Sequence, residues 1–317
     1  MSRRRGADGP DGLVVVDKEA GWTSHDVVAK SRGLLGTRKV GHSGTLDPDA
    51  TGVLLLGVGR VTRLLRFLTA LPKTYTCEIV LGVETTTLDA SGEVTATHDM
   101  AGTCFEQVEA AAATLTGDIL QVPPMVSAVK VDGTRLHQLA REGIEVEREA
   151  RPVTVHRFTV TPTDDPLVVR AEVECSSGTY VRTLAADLGA ALGGGAHLRD
   201  LRRTAIGSFT LADAHPLAEV SPEVVLTPAE ALRDYPRVVA SDEDVVAVGH
   251  GKVLPRDERF AGGGPWAVVD GPGRLLAVYG PHRGTTVKPE VVVAPAGEAS
   301  AGQRAPSAPS SADTGER

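Results

Sequence analysis

The amino-acid sequence predicts an α+β fold followed by a smaller β-rich unit. Strand-like and helix-like segments alternate along residues 12–234, where residues 152–163 and 167–178 alternate apolar and polar side chains as paired strands do. Beyond residue 234, short apolar runs lie between glycines and prolines. Helices interleaved with an antiparallel strand pair indicate an α+β domain rather than a doubly wound parallel sheet.

The first elements are predicted from apolar runs and capping residues. Residues 1–11 are polar and rich in Arg and Gly, and we expect them to be mobile. Residues 13–17, LVVVD, indicate a buried strand, and the capping residues at 23–26 predict a helix that continues to about Leu35. Residues 74–82 mix β-branched and aromatic side chains, which predicts a further strand.

Two further helices are predicted, each with glycine at its end. Residues 104–117, CFEQVEAAAATLTG, indicate a helix that ends at Gly117. The Ala- and Leu-rich residues 181–192 indicate another, which the three glycines at 193–195 terminate. Residues 12–234 are therefore expected to form the principal, catalytic domain.

The C-terminal part is predicted to contain a small domain and a tail. Residues 236–254 and 265–281 are expected to form short strands, which gives a β-rich domain over residues 235–294. Residues 295–317 consist of Ala, Gly, Ser, Pro and charged residues without periodicity. Such a segment cannot bury enough apolar surface to offset its chain entropy, so we expect it to be disordered.

Composition narrows the class of protein. No apolar run approaches the ~20 residues of a membrane span, so we expect no membrane association. The three cysteines are scattered without a C-x-x-C pair, which argues against a disulfide framework or zinc site and favours a reducing cytoplasm.

The formal net charge is −8, although residues 1–70 hold more Lys and Arg than Asp and Glu. Because phosphate attraction is local, net charge neither supports nor excludes RNA binding.

Residues 41–52, GHSGTLDPDATG, are the most informative stretch of the chain. Asp47 lies between Leu46 and Pro48, and the proline restricts the backbone of the aspartate before it. A carboxylate held stiffly beside apolar and cationic sequence is placed for chemistry. The spacing alone equally allows a turn aspartate that caps a helix starting near Ala50.

Six blocks of the sequence resemble, in the same order, the motifs of the TruB family of bacterial tRNA pseudouridine-55 synthases. The blocks are residues 17–28 (DKEAGWTSHDVV), 41–63 (GHSGTLDPDATGVLLLGVGRVTR), 73–82 (KTYTCEIVLG), 121–143 (QVPPMVSAVKVDGTRLHQLAREG), 175–189 (CSSGTYVRTLAADLG) and 196–209 (AHLRDLRRTAIGSF). Six collinear blocks make the resemblance specific. Two positions depart from the family pattern, His137 for a tyrosine and Glu19 for a proline, and we expect modest effects from both.

The resemblance implies a fold, a reaction and a substrate. The fold would be a pseudouridine-synthase-like mixed, largely antiparallel sheet flanked by helices, with a PUA-like, RNA-binding C-terminal domain. The reaction would isomerise uridine to pseudouridine at position 55 in the T-loop of tRNA. It has no redox step, so neither cofactor nor metal is expected. The chain would act in the cytoplasm as a monomer on the T-arm, without a protein partner.

The resemblance also implies three catalytic residues. Asp47 would be the catalytic carboxylate, either attacking the sugar or promoting elimination to a glycal. Arg182 would pair with it, and such a partner is expected to lower the carboxyl pKa. Tyr75 would lie against the base and shuttle a proton. On residue type alone, Arg182 could equally be a surface arginine and Tyr75 a packed core tyrosine.

Further residues are implied to contact the substrate. Tyr180 and Leu201 would line the uracil pocket, and His42 would fill the space that the flipped uridine leaves; by itself it could be a turn histidine. A helix would put Arg60, Arg63 and Arg66 on or near one face, which could meet phosphates or merely be solvated. A second cluster, Arg199, Arg202 and Arg203, is expected to touch RNA.

Three other functions remain open at this point. The chain could be an RNA-folding factor that has kept the scaffold without chemistry, although the combination of Asp47, Tyr75 and Arg182 argues against this. A phosphate-ester hydrolase would need a metal, and only Asp49 lies near Asp47 as a second carboxylate. A sister synthase acting on another RNA uridine is the nearest alternative.

Overall fold

The computed structural model describes residues 9–127, 130–131, 134–136, 142–144 and 146–294 of the chain. The predicted disordered tail, most of the predicted mobile N-terminus and His137 lie outside the described residues. The chain divides into two compact units, with the boundary after Val225.

The first unit contains strands β1 to β14 and helices α1 to α4. The strands are β1 (Gly12–Lys18), β2 (Val40–Ser43), β3 (Thr51–Val58), β4 (Lys73–Leu81), β5 (Val83–Thr85), β6 (Val94–Thr97), β7 (Gly117–Gln121), β8 (Lys130–Val131), β9 (Thr134–Arg135), β10 (Arg151–Pro162), β11 (Val168–Cys175), β12 (Ala196–Ile206), β13 (Phe209–Thr210) and β14 (His215–Pro216). The helices are α1 (Ser24–Leu34), α2 (Leu65–Ala70), α3 (Phe105–Thr114) and α4 (Val181–Ala191), and a 3₁₀ helix, Gly59–Leu64, precedes α2.

Ten strands form one mixed sheet in this unit. Its order is β14–β1–β3–β12–β4–β11–β10–β7, with β2 paired to β3 and β13 to β12. The pairs β1–β14 and β3–β12 are parallel, and the other pairs are antiparallel. The predicted α+β class and the pairing of β10 with β11 are therefore confirmed.

The core of the first unit explains why these segments fold as they do. Residues 53–58 of β3 are all buried, because this strand lies inside the sheet with both faces covered. Val27 and Val28 of α1 pack in one apolar cluster with Leu54 and Leu56 of β3. Helix α4 buries Leu184 and Leu188 in a second cluster, which includes residues of β4 and β11.

The second unit is a five-stranded sheet with one helix. Its strands are β15 (Arg237–Val239), β16 (Leu254–Pro255), β17 (Trp266–Val269), β18 (Leu275–His282) and β19 (Thr286–Val292), in the order β15–β17–β18–β19–β16. Helix α5, Asp242–Gly249, lies where only short strands were predicted, so that prediction is wrong. Ser241 accepts a hydrogen bond from the N–H of Asp244, and an acidic first turn matches the helix dipole.

Candidate active site

The loop that carries Asp47 joins β2 to β3 and is bonded to the start of α1. The hydroxyl of Ser24, in the first turn of α1, accepts from the N–H of Leu46 at 2.9 Å and lies 3.2 Å from its carbonyl, to which it donates. Both residues are buried. Strand β3 begins directly after Ala50, so the alternative in which Asp47 caps a helix at this point is wrong.

Lys18 ties the other side of this loop to the segment before α1. It is fully buried, and its ammonium donates to the carbonyls of Glu19 (3.0 Å), Trp22 (2.7 Å) and Pro48 (2.9 Å). The N–H of Gly21 donates to the same Pro48 carbonyl at 2.9 Å. Burial lowers the pKa of Lys18 to about 8, so the group still carries its charge at neutral pH. The residue after Asp47 is therefore held by two donors.

Arg182 lies in the first turn of α4, and its side chain contacts Asp47. Its Nη2 is 3.0 Å from Oδ2 of Asp47, and its side chain is only 5% exposed. The remaining donors go to the carbonyls of Thr87 (2.9 Å) and Val126 (2.8 Å), while its Nε is 3.5 Å from Asp89. Arg182 is not a surface arginine: its planar guanidinium is fixed by two backbone carbonyls while it pairs with Asp47.

The Asp47 carboxylate combines a buried setting with access to solvent. Burial raises its pKa, the Arg182 guanidinium opposes this rise, and the Asp89 carboxylate adds to it. Arg182 thus lowers the carboxyl pKa as expected, but burial outweighs this effect and the net shift of the pKa is upward. Of the side chain of Asp47, 42% remains exposed, so a substrate can reach the carboxylate that Arg182 orients.

Arg203 on β12 holds the loop at both of its ends. It is 1% exposed, and its Nε donates to the carbonyl of Val53 at 2.7 Å while its Nη2 donates to that of Gly44 at 3.2 Å. Arg203 also lines the cavity described below, and the expectation that residues 199, 202 and 203 all touch RNA stays a prediction. A buried guanidinium that donates to backbone carbonyls on both sides of the loop fixes the conformation of the loop.

A cavity of about 260 Å³ opens beside Asp47 and brings the predicted pocket residues together. Tyr75, Tyr180 and Leu201 all line it. Tyr75 is 8% exposed, and burial raises its pKa, so the phenol keeps its proton at neutral pH. The amide of Gln121 brackets Tyr180, accepting from its N–H at 2.7 Å and donating to its carbonyl at 3.1 Å.

His42 on β2 faces the start of α1. Its ring makes an edge-on contact with the ring of His25, with 5.1 Å between centroids. Burial lowers its pKa, and the neighbouring His25 and Arg203 act in the same direction, so a neutral imidazole is expected at pH 7. A neutral aromatic ring can take the place of a base in a stack without bringing an unpaired charge.

The predicted phosphate-contacting arginines lie at the surface. Arg60 and Arg63 stand three residues apart in a 3₁₀ helix, which has three residues per turn, so both project from the same side. Arg60 pairs with Asp11, with 3.1 Å between Nε and Oδ2, and Arg63 is exposed. Arg202 is 2.7 Å from Asp17.

Sequence reasoning did not single out the residues that hold the loop. Lys18, Ser24 and Gln121 lie in the matched blocks but were given no role there, and Asp89 lies outside those blocks. Each of the four acts on a segment distant in the sequence. Within the described ranges, no group of three or more His, Cys, Asp or Glu side chains is placed to hold a metal ion. No helix in the same ranges is long and apolar enough to cross a membrane.

Solved structures share the fold. The chain matches a subunit of the crystal structure of a Cbf5–Nop10–Gar1 complex with a TM-score of 0.70 and 24% identity, over 93% of this chain and 92% of that one. It matches the structure of an H/ACA ribonucleoprotein bound to a substrate RNA containing 2′-deoxyuridine with a TM-score of 0.67 and 24% identity, over 90% and 85%. This likeness concerns the fold alone.

Two family models and many curated relatives specify the family. The model described as TruB family pseudouridylate synthase (N terminal domain) matches residues 32–181, and the tRNA pseudouridylate synthase B C-terminal domain matches residues 182–240. The chain therefore belongs to the TruB family, as its sequence predicts. It is 47% identical to tRNA pseudouridine synthase B of Streptomyces coelicolor over 87% of this chain and 95% of that one. The enzyme of the same name from Thermobifida fusca is 48% identical, over 90% and 99%.

Proposed function

We propose that this protein isomerises uridine to pseudouridine in tRNA and that its target is uridine 55 of the T-loop. The observation that carries the proposal is the ion pair between Arg182 and Asp47 at the mouth of a cavity with aromatic walls. The T-loop target is inferred from the names of the relatives and from the resemblance of the motifs. A cofactor has no part in the proposal, since substrate and product are isomers.

The reaction begins when the uridine leaves the stack of its loop, because the sugar and base are otherwise out of reach of Asp47. His42 occupies the space that the base leaves, and its ring contact with His25 keeps it in place. The base enters the cavity between Tyr75, Tyr180 and Leu201. Extruding a base costs a few kcal/mol, which the aromatic contacts in the cavity offset.

The chemical step breaks one bond and forms another. The bond between N1 of uracil and C1′ of the ribose breaks, and its electron pair goes to the base. The freed uracil turns within the cavity, C5 bonds to C1′, and the proton on C5 is lost while N1 gains one. Asp47 acts either by attacking C1′, with the resulting ester bond breaking when C5 bonds to C1′, or by taking the proton of C2′ to give a glycal, to which that proton returns when C5 bonds to C1′. Both routes need an ionised carboxylate, which the guanidinium of Arg182 maintains against the effect of burial.

The remaining predicted residues complete the proposal. Tyr75 lies against the base and, with its proton retained, can donate to a uracil oxygen or pass the proton of C5. Arg60, Arg63 and Arg202 meet phosphates of the T-arm, and the domain over residues 235–294 adds contact to the tRNA body, beyond the catalytic domain of residues 12–234. The protein acts as a cytoplasmic monomer, which light scattering of the purified chain would check.

The test uses a T-arm stem-loop transcript with wild-type and Asp47→Asn protein, without added metal or cofactor. Pseudouridine is mapped by carbodiimide treatment followed by reverse transcription. We expect a stop at the T-loop uridine with the wild type and none with Asp47→Asn, which should still shift the RNA on a gel. Asp49→Asn is the matched control, because Asp49 is an exposed carboxylate two residues away and should leave the stop in place.

Two outcomes would contradict the proposal in different ways. A stop that persists with Asp47→Asn would remove Asp47 from the chemistry. Binding of the stem-loop without any stop in the wild type would favour an RNA-folding factor or a synthase for another uridine, and a full-length tRNA transcript mapped in the same way would separate these two.

A further inference from the structure

Trp22 is an exposed tryptophan beside the catalytic loop. The chain has two tryptophans, and they differ sharply: Trp266 is fully buried, whereas Trp22 is 36% exposed. Within the part of the chain that the structure describes, the indole of Trp22 makes no hydrogen bond and stacks on no other ring. An indole in this setting forgoes much of the stabilisation that burial gives a tryptophan.

The backbone of Trp22 is fixed to the loop of Asp47. The Lys18 ammonium donates both to the carbonyl of Trp22, at 2.7 Å, and to that of Pro48, at 2.9 Å. On its other side, Trp22 is followed by Thr23, which caps α1 in a reciprocal pair with Asp26. The backbone of Trp22 is therefore fixed on both sides, and Lys18 links it directly to Pro48, the residue after Asp47.

Two further aromatic rings lie at the start of α1 and on β2. His25 is exposed in the first turn of α1, and its ring contacts that of His42, the residue proposed to replace the flipped base. Two exposed rings, those of Trp22 and His25, therefore lie at the start of α1, which Ser24 bonds to the loop of Asp47. Bases of single-stranded RNA loops are commonly held by stacking on aromatic side chains, since every base has a π-face.

We propose that Trp22 is a stacking platform for an unpaired base of the RNA loop that neighbours the target uridine. This inference rests on the proposed function. When the target uridine is extruded, His42 fills its place in the stack, and the indole of Trp22 covers the open face of another unpaired base of the loop. A tryptophan suits this role because it offers a large rigid surface with only two side-chain torsions to fix.

A purely structural role for Trp22 makes different predictions. Trp22 precedes the N-cap of α1, and Val27, the buried fourth residue of the helix, stands where a hydrophobic staple would contact it. A staple would alter the melting temperature of the protein and leave RNA affinity unchanged once the protein is folded. A stacking platform would alter RNA affinity and leave the melting temperature nearly unchanged.

The first experiment uses tryptophan fluorescence, since the other tryptophan is fully buried. Asp47→Asn protein, which binds without turnover, is titrated with the T-arm stem-loop. We expect the fluorescence to be quenched, and we expect the quenching to be lost in the double variant Asp47→Asn/Trp22→Phe, although that protein still binds in a gel shift. Equal quenching in both proteins would overturn the proposal.

The second experiment measures affinity in the same Asp47→Asn background. Trp22→Ala should weaken binding about 10-fold, whereas Trp22→Phe, which keeps a ring, should stay within about 3-fold. An abasic site is then placed at each loop position in turn. When the missing base is the one that stacks on Trp22, the Asp47→Asn protein and the Asp47→Asn/Trp22→Ala protein should bind the abasic RNA with equal affinity. If the effects of variant and abasic site add at every position, or Trp22→Ala binds normally, the proposal fails.

The outcomes separate this proposal from the function on which it rests. If the Asp47→Asn protein does not bind the stem-loop at all, both the T-arm function and the stacking role are overturned. If it binds, but neither fluorescence nor affinity depends on Trp22, only the stacking role is overturned. Thermal melting of each variant shows whether a loss of folding underlies any loss of affinity.

Discussion

The two units of the chain treat polar side chains in opposite ways. Within the described residues, every buried polar or charged side chain belongs to the first unit, and Lys18, Arg182 and Arg203 are among them. The core of the second unit is apolar and aromatic, with Phe260 edge-on to Trp266 at 5.5 Å. The ion pairs of that unit lie at its surface.

This difference shows what the buried charges are for. A buried cation is costly, and a well-packed apolar group is often at least as stabilising, so stability alone does not account for three of them around one loop. Each donates to backbone carbonyls of the Asp47 loop or to Asp47 itself. The first unit therefore gives up stability for a fixed position of the carboxylate, and the second unit has no such requirement.

The titration of Asp47 follows the same logic. Its pKa in the folded chain lies above its ordinary value because of burial. The folded state therefore binds the Asp47 proton more tightly than the unfolded chain does. At a pH above the folded-state pKa this proton is lost, and keeping the ionised carboxylate buried lowers the free energy of unfolding. Asp47→Asn is accordingly expected to lose activity without losing stability, which a melting curve of the protein used for carbodiimide mapping would show.

The largest effect is expected from Arg182→Met. The change removes the partner of Asp47 and leaves the carbonyls of Thr87 and Val126 without their donor. We expect the single-turnover rate to fall about 10³-fold, of the order found when one preorganised charge partner is lost. The matched control is Arg157→Met, since Arg157 is 44% exposed on β10 and pairs with Glu172. A rate within a few-fold of wild type would contradict the role of the ion pair.

The pH dependence of the single-turnover rate of Arg182→Met gives a second test of the ion pair. Arg182 opposes the rise in the pKa of Asp47, so its loss should raise this pKa further. In the proposed reaction the ionised carboxylate is the active form, so the acid limb of the single-turnover rate should move to higher pH in Arg182→Met. A limb that moves to lower pH would show that the carboxylate is not the group that titrates.

An intermediate effect is expected from Gly52→Ala. Gly52 has a φ of +102°, and a Cβ on it would overlap the carbonyl of Arg203 on the adjacent strand β12. The strand pair would have to separate, so we expect a loss of about 3 kcal/mol in the free energy of unfolding together with weaker catalysis. Gly271→Ala is the control, because Gly271 lies in open space in the second unit. Similar urea midpoints for both variants would contradict the prediction.

The sequence predicts the chemical residues better than their supports. Proline and glycines single out the stretch around Asp47, and the family resemblance then assigns its role. Helices α1 and α4 are predicted because caps and glycines mark their ends. In the sequence, Arg203 cannot be told from its neighbours Arg199 and Arg202. It is buried because β12 pairs with β3, where Arg203 donates to Val53, a residue 150 positions earlier in the chain. Such long-range contacts leave no local pattern.

The smallest effect is expected from Arg259→Gln in the second unit. Arg259 bonds to Asp257 at 2.6 Å and to Asp244 at 2.8 Å, but its side chain is 37% exposed. Exposed ion pairs contribute little, so we expect a loss of at most about 1 kcal/mol in the free energy of unfolding and an unchanged pseudouridylation rate on the stem-loop. The measurement is a urea titration of both proteins at low and high salt, where the difference should shrink as salt rises. A loss as large as that of Gly52→Ala would mean that the second unit also depends on fixed charges, and the contrast between the units would fail.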